Sequence, residues 1–275
     1  MANEGLQFEH AAMYSALSKI DSPNTEQSRD LADAKAQYDK ITNNNIKKKA
    51  EEVVEDMAPT GAAQRQNYYK SFEKMSGGIE PKTDIKFKSG STTYRCSMKW
   101  GNSFQLTSAG VDKSISVLQV VLEEVARKYS SNTDIKTLGY LQLLLEQIAN
   151  QFENATGTMD QATAKRVMST AKKAGGINEQ LQSILGTKKN PQGGEVYDSF
   201  KYELTKECMT GALQFKGNTD MIATHLFTED GVEPINDKMI RQVMKKAGVR
   251  MSLKGRGKDK ITGIRKNAIS IRYEV

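Results

Sequence analysis

The chain has 275 residues, with 40 Lys or Arg against 33 Asp or Glu and a formal net charge of +7, enough length for one large domain or two small ones with a real core. Hydrophobic residues make up 37%, mean hydropathy is −0.60, and no apolar run approaches the roughly 20 residues that span a bilayer, so a soluble, non-membrane protein is expected. Two cysteines, Cys96 and Cys208, stand far apart without CxxC or CxH spacing, which argues against the usual zinc sites and for a reducing, cytoplasmic setting.

In chain order, the opening MANEGLQFEH lacks the basic-then-apolar layout of a secretory signal. Residues 5–20 place Leu6, Met13, Leu17 and Ile20 near one face of a helix, with Ala12 and Ala16 allowing close packing. A far more polar helical stretch follows over 28–56, broken near Asn43 to Asn45, and then a loop at 75–81. At 83–88 and 92–99 the texture changes to period two: Ile85 and Phe87 alternate in the first run, and Tyr94, Cys96 and Met98 share one face of the second. Apolar residues at 111, 115, 118, 122, 125 and 129 form a helical stripe. Further helices are expected at 136–153, 160–173, 178–185 and 196–209, with a hinge-like loop at 188–194. The last region reads as strands at 220–227, 249–254 and 267–275, a helix at 237–248, and a basic hairpin loop at 255–263. The expected architecture is therefore mixed α/β in three consecutive segments: an α/β core over 1–130, a helical middle over 131–195, and a small basic α+β region over 196–275.

Charge is distributed unevenly. From Lys238 to Val275 there are 12 Lys or Arg against two acids, Asp259 and Glu274, so this segment carries 12 − 2 = +10 and the remainder 7 − 10 = −3. Such asymmetry points to a polyanion-facing element, nucleic acid before acidic membrane. Lys254, Arg256, Lys258 and Lys260 alternate with glycines or other small steps, and Arg265 and Lys266 reinforce them. Glycines let a backbone approach a phosphate and the cations neutralise it. No aromatic side chain interleaves them before Tyr273, so duplex phosphate contact is expected over single-strand stacking. No G-x-x-x-x-G-K-[ST] loop is present, which argues against an ATP-driven motor.

The strand pair carries the other chemistry. Asp84 opens the first strand, and Ser97 and Lys99 lie two residues apart on the second, hence on one face and beside the first carboxylate. An acid, then an acid and a lysine at that spacing, is how many metal-dependent nucleases hold Mg²⁺ and stabilise charge on a phosphate. With Gln105 downstream and Glu9 in the first helix, the stretch resembles the PD-(D/E)xK nuclease-like superfamily over about residues 1–130. That resemblance implies a restriction-endonuclease-like central sheet with flanking helices. It also implies Mg²⁺ at Glu9 and Asp84, with catalytic roles for Ser97, Lys99 and Gln105. Serine departs from the family pattern, because a hydroxyl is a poor substitute for the second metal-binding acid; Glu123 and Glu124 are the candidates for a migrated one. Two functions stay open: an Mg²⁺-dependent DNA nuclease, or a protein that holds duplex DNA without cutting it, as phage DNA end-protector proteins do. A third is a phage virion or assembly protein with a basic tail.

Overall fold

The computed structural model describes residues 4–57, 64–65, 82–101, 105–107, 110–129, 135–152, 159–191, 197–258 and 262–275. In chain order these form α1 (Glu4–Ser18), α2 (Thr25–Tyr38), α3 (Asn44–Met57), β1 (Gln64–Arg65), β2 (Ile85–Ser89), β3 (Thr92–Met98), β4 (Gln105–Thr107), α4 (Val111–Tyr129) and α5 (Ile135–Phe152). There follow β5 (Met159–Asp160), α6 (Gln161–Ala171), α7 (Ile177–Leu185), α8 (Asp198–Thr210), β6 (His225–Thr228), β7 (Gly231–Pro234), α9 (Asp237–Met244), β8 (Gly248–Lys258) and β9 (Arg265–Glu274). The chain is mixed α/β, and none of the described helices is long and apolar enough to cross a membrane. The loop expected at 75–81 lies outside the described residues, as does the end of the 188–194 loop.

Contacts divide the chain into two units rather than three consecutive segments: Met1–Phe104 with Met209–Asn236, and Gln105–Cys208 with Asp237–Val275. Strand pairing explains the interleaving. β6 joins β3, which draws 209–236 to the first unit, while β9 joins β4, which draws the C-terminal residues to the second.

In the first unit a mixed sheet has the order β1-β2-β3-β6-β7. β2 and β3 form a hairpin in which Ser89 faces Thr92, and Gly90 turns the chain at φ +57°, a left-handed conformation that suits glycine. β3 and β6 run parallel, and β7 returns antiparallel to β6. Ile85, Phe87, Cys96, Met98 and Phe227 bury one face of this sheet together with Phe8, Ala12, Ala16 and Leu17 of α1 and Ile46, Ala50, Val53 and Val54 of α3. Covered by the sheet and by α2 and α3, α1 is buried over most of its circumference, and its alanines permit that closeness. Leu6, expected in the buried stripe, is instead 39% exposed; it belongs to the first turn, and burial begins at Phe8. The polar stretch after α1 is two helices. Asn24 caps α2 in a reciprocal capping box with Gln27; residues 39–43 separate α2 from α3, and the Asn43 side chain accepts the Asn45 N–H in the first turn of α3 at 3.0 Å.

In the second unit β9 is the hub of an antiparallel sheet. β8 pairs along one edge of it; β4 and β5 pair along the other, at Glu274 and at Asn267. Val249, Ile271 and Tyr273 meet Val117 and Leu118 of α4, Leu185 of α7 and Leu204 of α8 around a small apolar cavity. The Tyr273 hydroxyl shares a hydrogen bond of 2.8 Å with Thr205. β8 continues to Lys258, farther than the sequence pattern indicates, because Gly255 still faces Asn267 and Lys258 faces Arg265 across an irregularity. Arg256 and Lys258 are thus strand residues, not loop residues.

Candidate functional site

The β2–β3 register brings two of the sequence-derived residues into contact. Asp84 donates its backbone N–H to the Cys96 carbonyl at 2.8 Å, which seats its side chain at the end of β3. There Oδ2 accepts the Met98 N–H at 2.7 Å and lies 3.4 Å from the Ser97 hydroxyl that donates to it. Ser97 is buried at 3% exposure and faces Leu226 across the parallel pair. Lys99 follows on the Ser97 side by strand alternation, half-buried, its N–H donating to the Phe227 carbonyl at 2.9 Å.

The same face holds cations that the sequence reading passed over. Lys86 and Arg95 are directly opposed in the register. Lys86 pairs with Asp220 at 2.9 Å, and Arg95 donates through Nε to the Ile222 carbonyl at 3.0 Å. The signal was available: Lys86 precedes Phe87 and Arg95 precedes Cys96 in the same alternation that isolates Ser97 and Lys99. At the far end of β3 the Glu229 carboxylate accepts the Gly101 N–H at 2.7 Å, an arrangement without a sequence signature.

Other expected members are positioned differently. Glu9 is half-buried on α1, the helix that covers the Cys96–Met98 face, opposite to Ser97. Its neighbour Phe8 meets Trp100 at 5.1 Å and Phe227 at 5.5 Å between ring centroids, so Trp100 serves the core. Gln105 belongs to the second unit, where its backbone pairs with Glu274. Glu123 is exposed, and Glu124 is engaged by Arg127 at 2.7 Å and Lys128 at 3.0 Å. Their hydrogen bonds hold its carboxyl down to about 2; both acids belong to α4 of the second unit. Cys96 is no nucleophile: burial first, then the charge of Asp84, pushes its thiol far above the ordinary value. His225 lies against Tyr94 with ring centroids 4.6 Å apart and shares a hydrogen bond with Thr224. Burial, then Arg95, lowers its pKa.

The donor set does not fit the Mg²⁺ that the resemblance implies. On the strand pair Asp84 is the carboxylate, and one of its oxygens already takes a backbone N–H. The neighbouring position offers a buried neutral hydroxyl where Mg²⁺ favours a second anionic oxygen.

The second group of cations lies on the β8–β9 ladder. Lys254 is half-buried on β8, opposite Ala268; Arg256 and Lys258 follow it on the same strand; Arg265 and Lys266 open β9. Lys260 lies outside the described residues. Comparisons with protein-family models, with curated proteins and with solved structures found no match.

Proposed function

We propose that this chain binds duplex DNA mainly through its phosphates, on a scaffold of the PD-(D/E)xK nuclease type that has lost the acid needed for metal-dependent cleavage. The observation that carries this reading is the meeting of Asp84 with Ser97 on the strand pair that also bears Lys99. The spacing of a nuclease site is kept, while its second carboxylate is replaced by a hydroxyl that donates to the first. The mixed sheet, with a helix covering one face, agrees with the same scaffold. Arg95 and Lys99 on one side of that sheet, and the +10 C-terminal segment, supply the positive potential that duplex binding requires.

The test joins binding to cleavage. Fluorescence anisotropy with a blunt duplex at low salt should give sequence-independent binding, and prolonged incubation with Mg²⁺ should leave the duplex intact. Competition between linear and closed circular DNA of one sequence reads out whether ends are preferred. Ser97→Glu returns a carboxylate to the face of Lys99 and should raise Mg²⁺-dependent cleavage, which Asp84→Ala then removes. Cleavage by the unaltered chain that Asp84→Ala abolishes would establish the nuclease instead, and lack of binding at low salt would remove the DNA reading.

A further inference from the structure

One face of the β8–β9 ladder is a row of hydrogen-bond donors. The register sets Arg250 opposite Arg272 and Ser252 opposite Ser270, with Lys254 one step further along; directly opposed residues share a face. The other face is apolar and packed, with Val249, Met251, Ile271 and Tyr273 buried. Of the carboxylates on this ladder, Glu274 accepts from Arg250 Nε. Three neighbouring donors in the row are buried and have no partner among the described residues: Ser252 Oγ, Ser270 Oγ and Arg272 Nε. Ser270 is 0% exposed.

Two features of the row oppose folding. A buried donor without a partner forfeits the hydrogen bonds it made in water, and like charges directly opposed on a ladder repel. Either could be removed by a small substitution, yet both recur at adjacent pairs of one ladder. A single ligand relieves both. A tetrahedral oxyanion offers several acceptor oxygens within one small volume, accepts from hydroxyls and from guanidinium together, and adds a counter-charge for Arg272 beside the Arg250–Glu274 pair. The row borders solvent: the Arg250 side chain is 47% exposed, and Ser252 and Arg272 are partly exposed as residues while their orphaned donor atoms are buried just beneath.

We infer that Arg250, Ser252, Ser270 and Arg272 form a seat for a phosphate-type oxyanion. Free phosphate and a phosphodiester of a nucleic-acid backbone present the same chemistry. Where the occupant is a phosphodiester, the inference rests on the DNA-binding reading and names the residues that grip one phosphate.

The test uses the full chain, unaltered and as the Ser252→Ala/Ser270→Ala double variant. Thermal unfolding is followed with inorganic phosphate and with chloride at matched ionic strength, and duplex affinity by anisotropy. Since the orphaned hydroxyls have no partner among the described residues, the double variant should unfold without phosphate at the same temperature as the parent or higher. It should lose the extra stabilisation that phosphate gives over chloride. If a phosphodiester is the occupant, duplex affinity falls about tenfold, the loss of one or two charge-assisted hydrogen bonds. The salt slope stays unchanged, because serine carries no charge. Phosphate stabilisation lost in the variant with duplex affinity unaltered assigns the seat to free phosphate. A chain that binds no DNA but keeps this phosphate response removes the DNA reading and leaves the seat standing. Should the double variant fold poorly, Arg272→Lys serves in its place, since it keeps the charge and loses the guanidinium geometry. The inference is overturned if the unaltered chain responds to phosphate no more than to chloride and the variants bind duplex as tightly as the parent.

Discussion

At the scale of single residues, Asp84 decides how the strand pair ends. Its Oδ2 takes the Met98 N–H at 2.7 Å, a charge-assisted bond at the edge of a buried strand. Asp84→Ala leaves that N–H without its acceptor and should cost about 1–3 kcal/mol in denaturant unfolding. Asp84→Asn keeps an oxygen in the same position and should recover most of the loss. Equal destabilisation by both would mean that the charge, not the hydrogen bond, matters. The alternation in the sequence made the Asp84–Ser97 contact legible, because period two alone sets Ser97 on the face opposite Cys96 and Met98. It could not place Glu9. A helix's rotation over a sheet depends on which small residues let it settle, here Ala11, Ala12 and Ala16, all buried, and that is a property of the packed pair. Gln105 shows a similar limit: its nearness in sequence to Lys99 says nothing of the strand with which its own backbone pairs, which is β9.

Among the elements, α8 is unusual in burying Lys201, Glu203, Thr205 and Glu207 alongside Phe200 and Leu204. Glu203 pairs with Lys128 at 2.9 Å, and Lys201 donates to the Pro191 carbonyl. Burial lowers the Lys201 pKa to about 8 from 10.5, against the opposing influence of Asp198. Below pH 8 both folded and unfolded chains carry the proton, and the cost of burying the charge stands in full. Between about 8 and 10.5 the unfolded chain keeps a proton that the folded chain has lost, so stability rises with pH across that window. Unfolding midpoints of the parent and of Lys201→Met at pH 7, 8.5 and 10 should therefore shift in the parent's favour by a few kcal/mol at most. A constant difference across the series would show that Lys201 does not titrate there. β9 sets a second expectation. Because β4, β5 and β8 all pair with it, removing residues 265–275 leaves three strands without their ladder. Such a truncation should abolish the folded signature of the second unit in hydrogen exchange, and protected amides persisting in β8 would contradict that role. The strands β8 and β9 were readable from alternating apolar residues, but the hub was not, since two-residue β5 leaves no periodic trace.

For the molecule as a whole, interleaving governs how its charge can be tested. The +10 segment from Lys238 to Val275 reads as a detachable basic tail, yet it contributes β8 and β9 to the second unit's sheet. Deleting it would confuse loss of phosphate contacts with loss of the fold, so point substitutions are the proper instrument. Lys254, Arg256 and Lys258 lie on the distal half of β8. Each lysine or arginine that neutralises a duplex phosphate contributes about −0.9 to the slope of log affinity against log salt. Changing all three to alanine should therefore make the slope shallower by about 3 if each meets a phosphate. Sequence preference should not change, because contacts to phosphate carry no base information. The measurement is a duplex titration at several salt concentrations, with the melting temperature of the triple variant recorded beside it. A loss of affinity with the parent slope would signal structural damage instead of lost phosphate contacts. An unchanged affinity and slope would move the interface away from the hairpin. Arg95 and Lys99 on the first unit's sheet would then be the cations to substitute next, with the same slope as the measure.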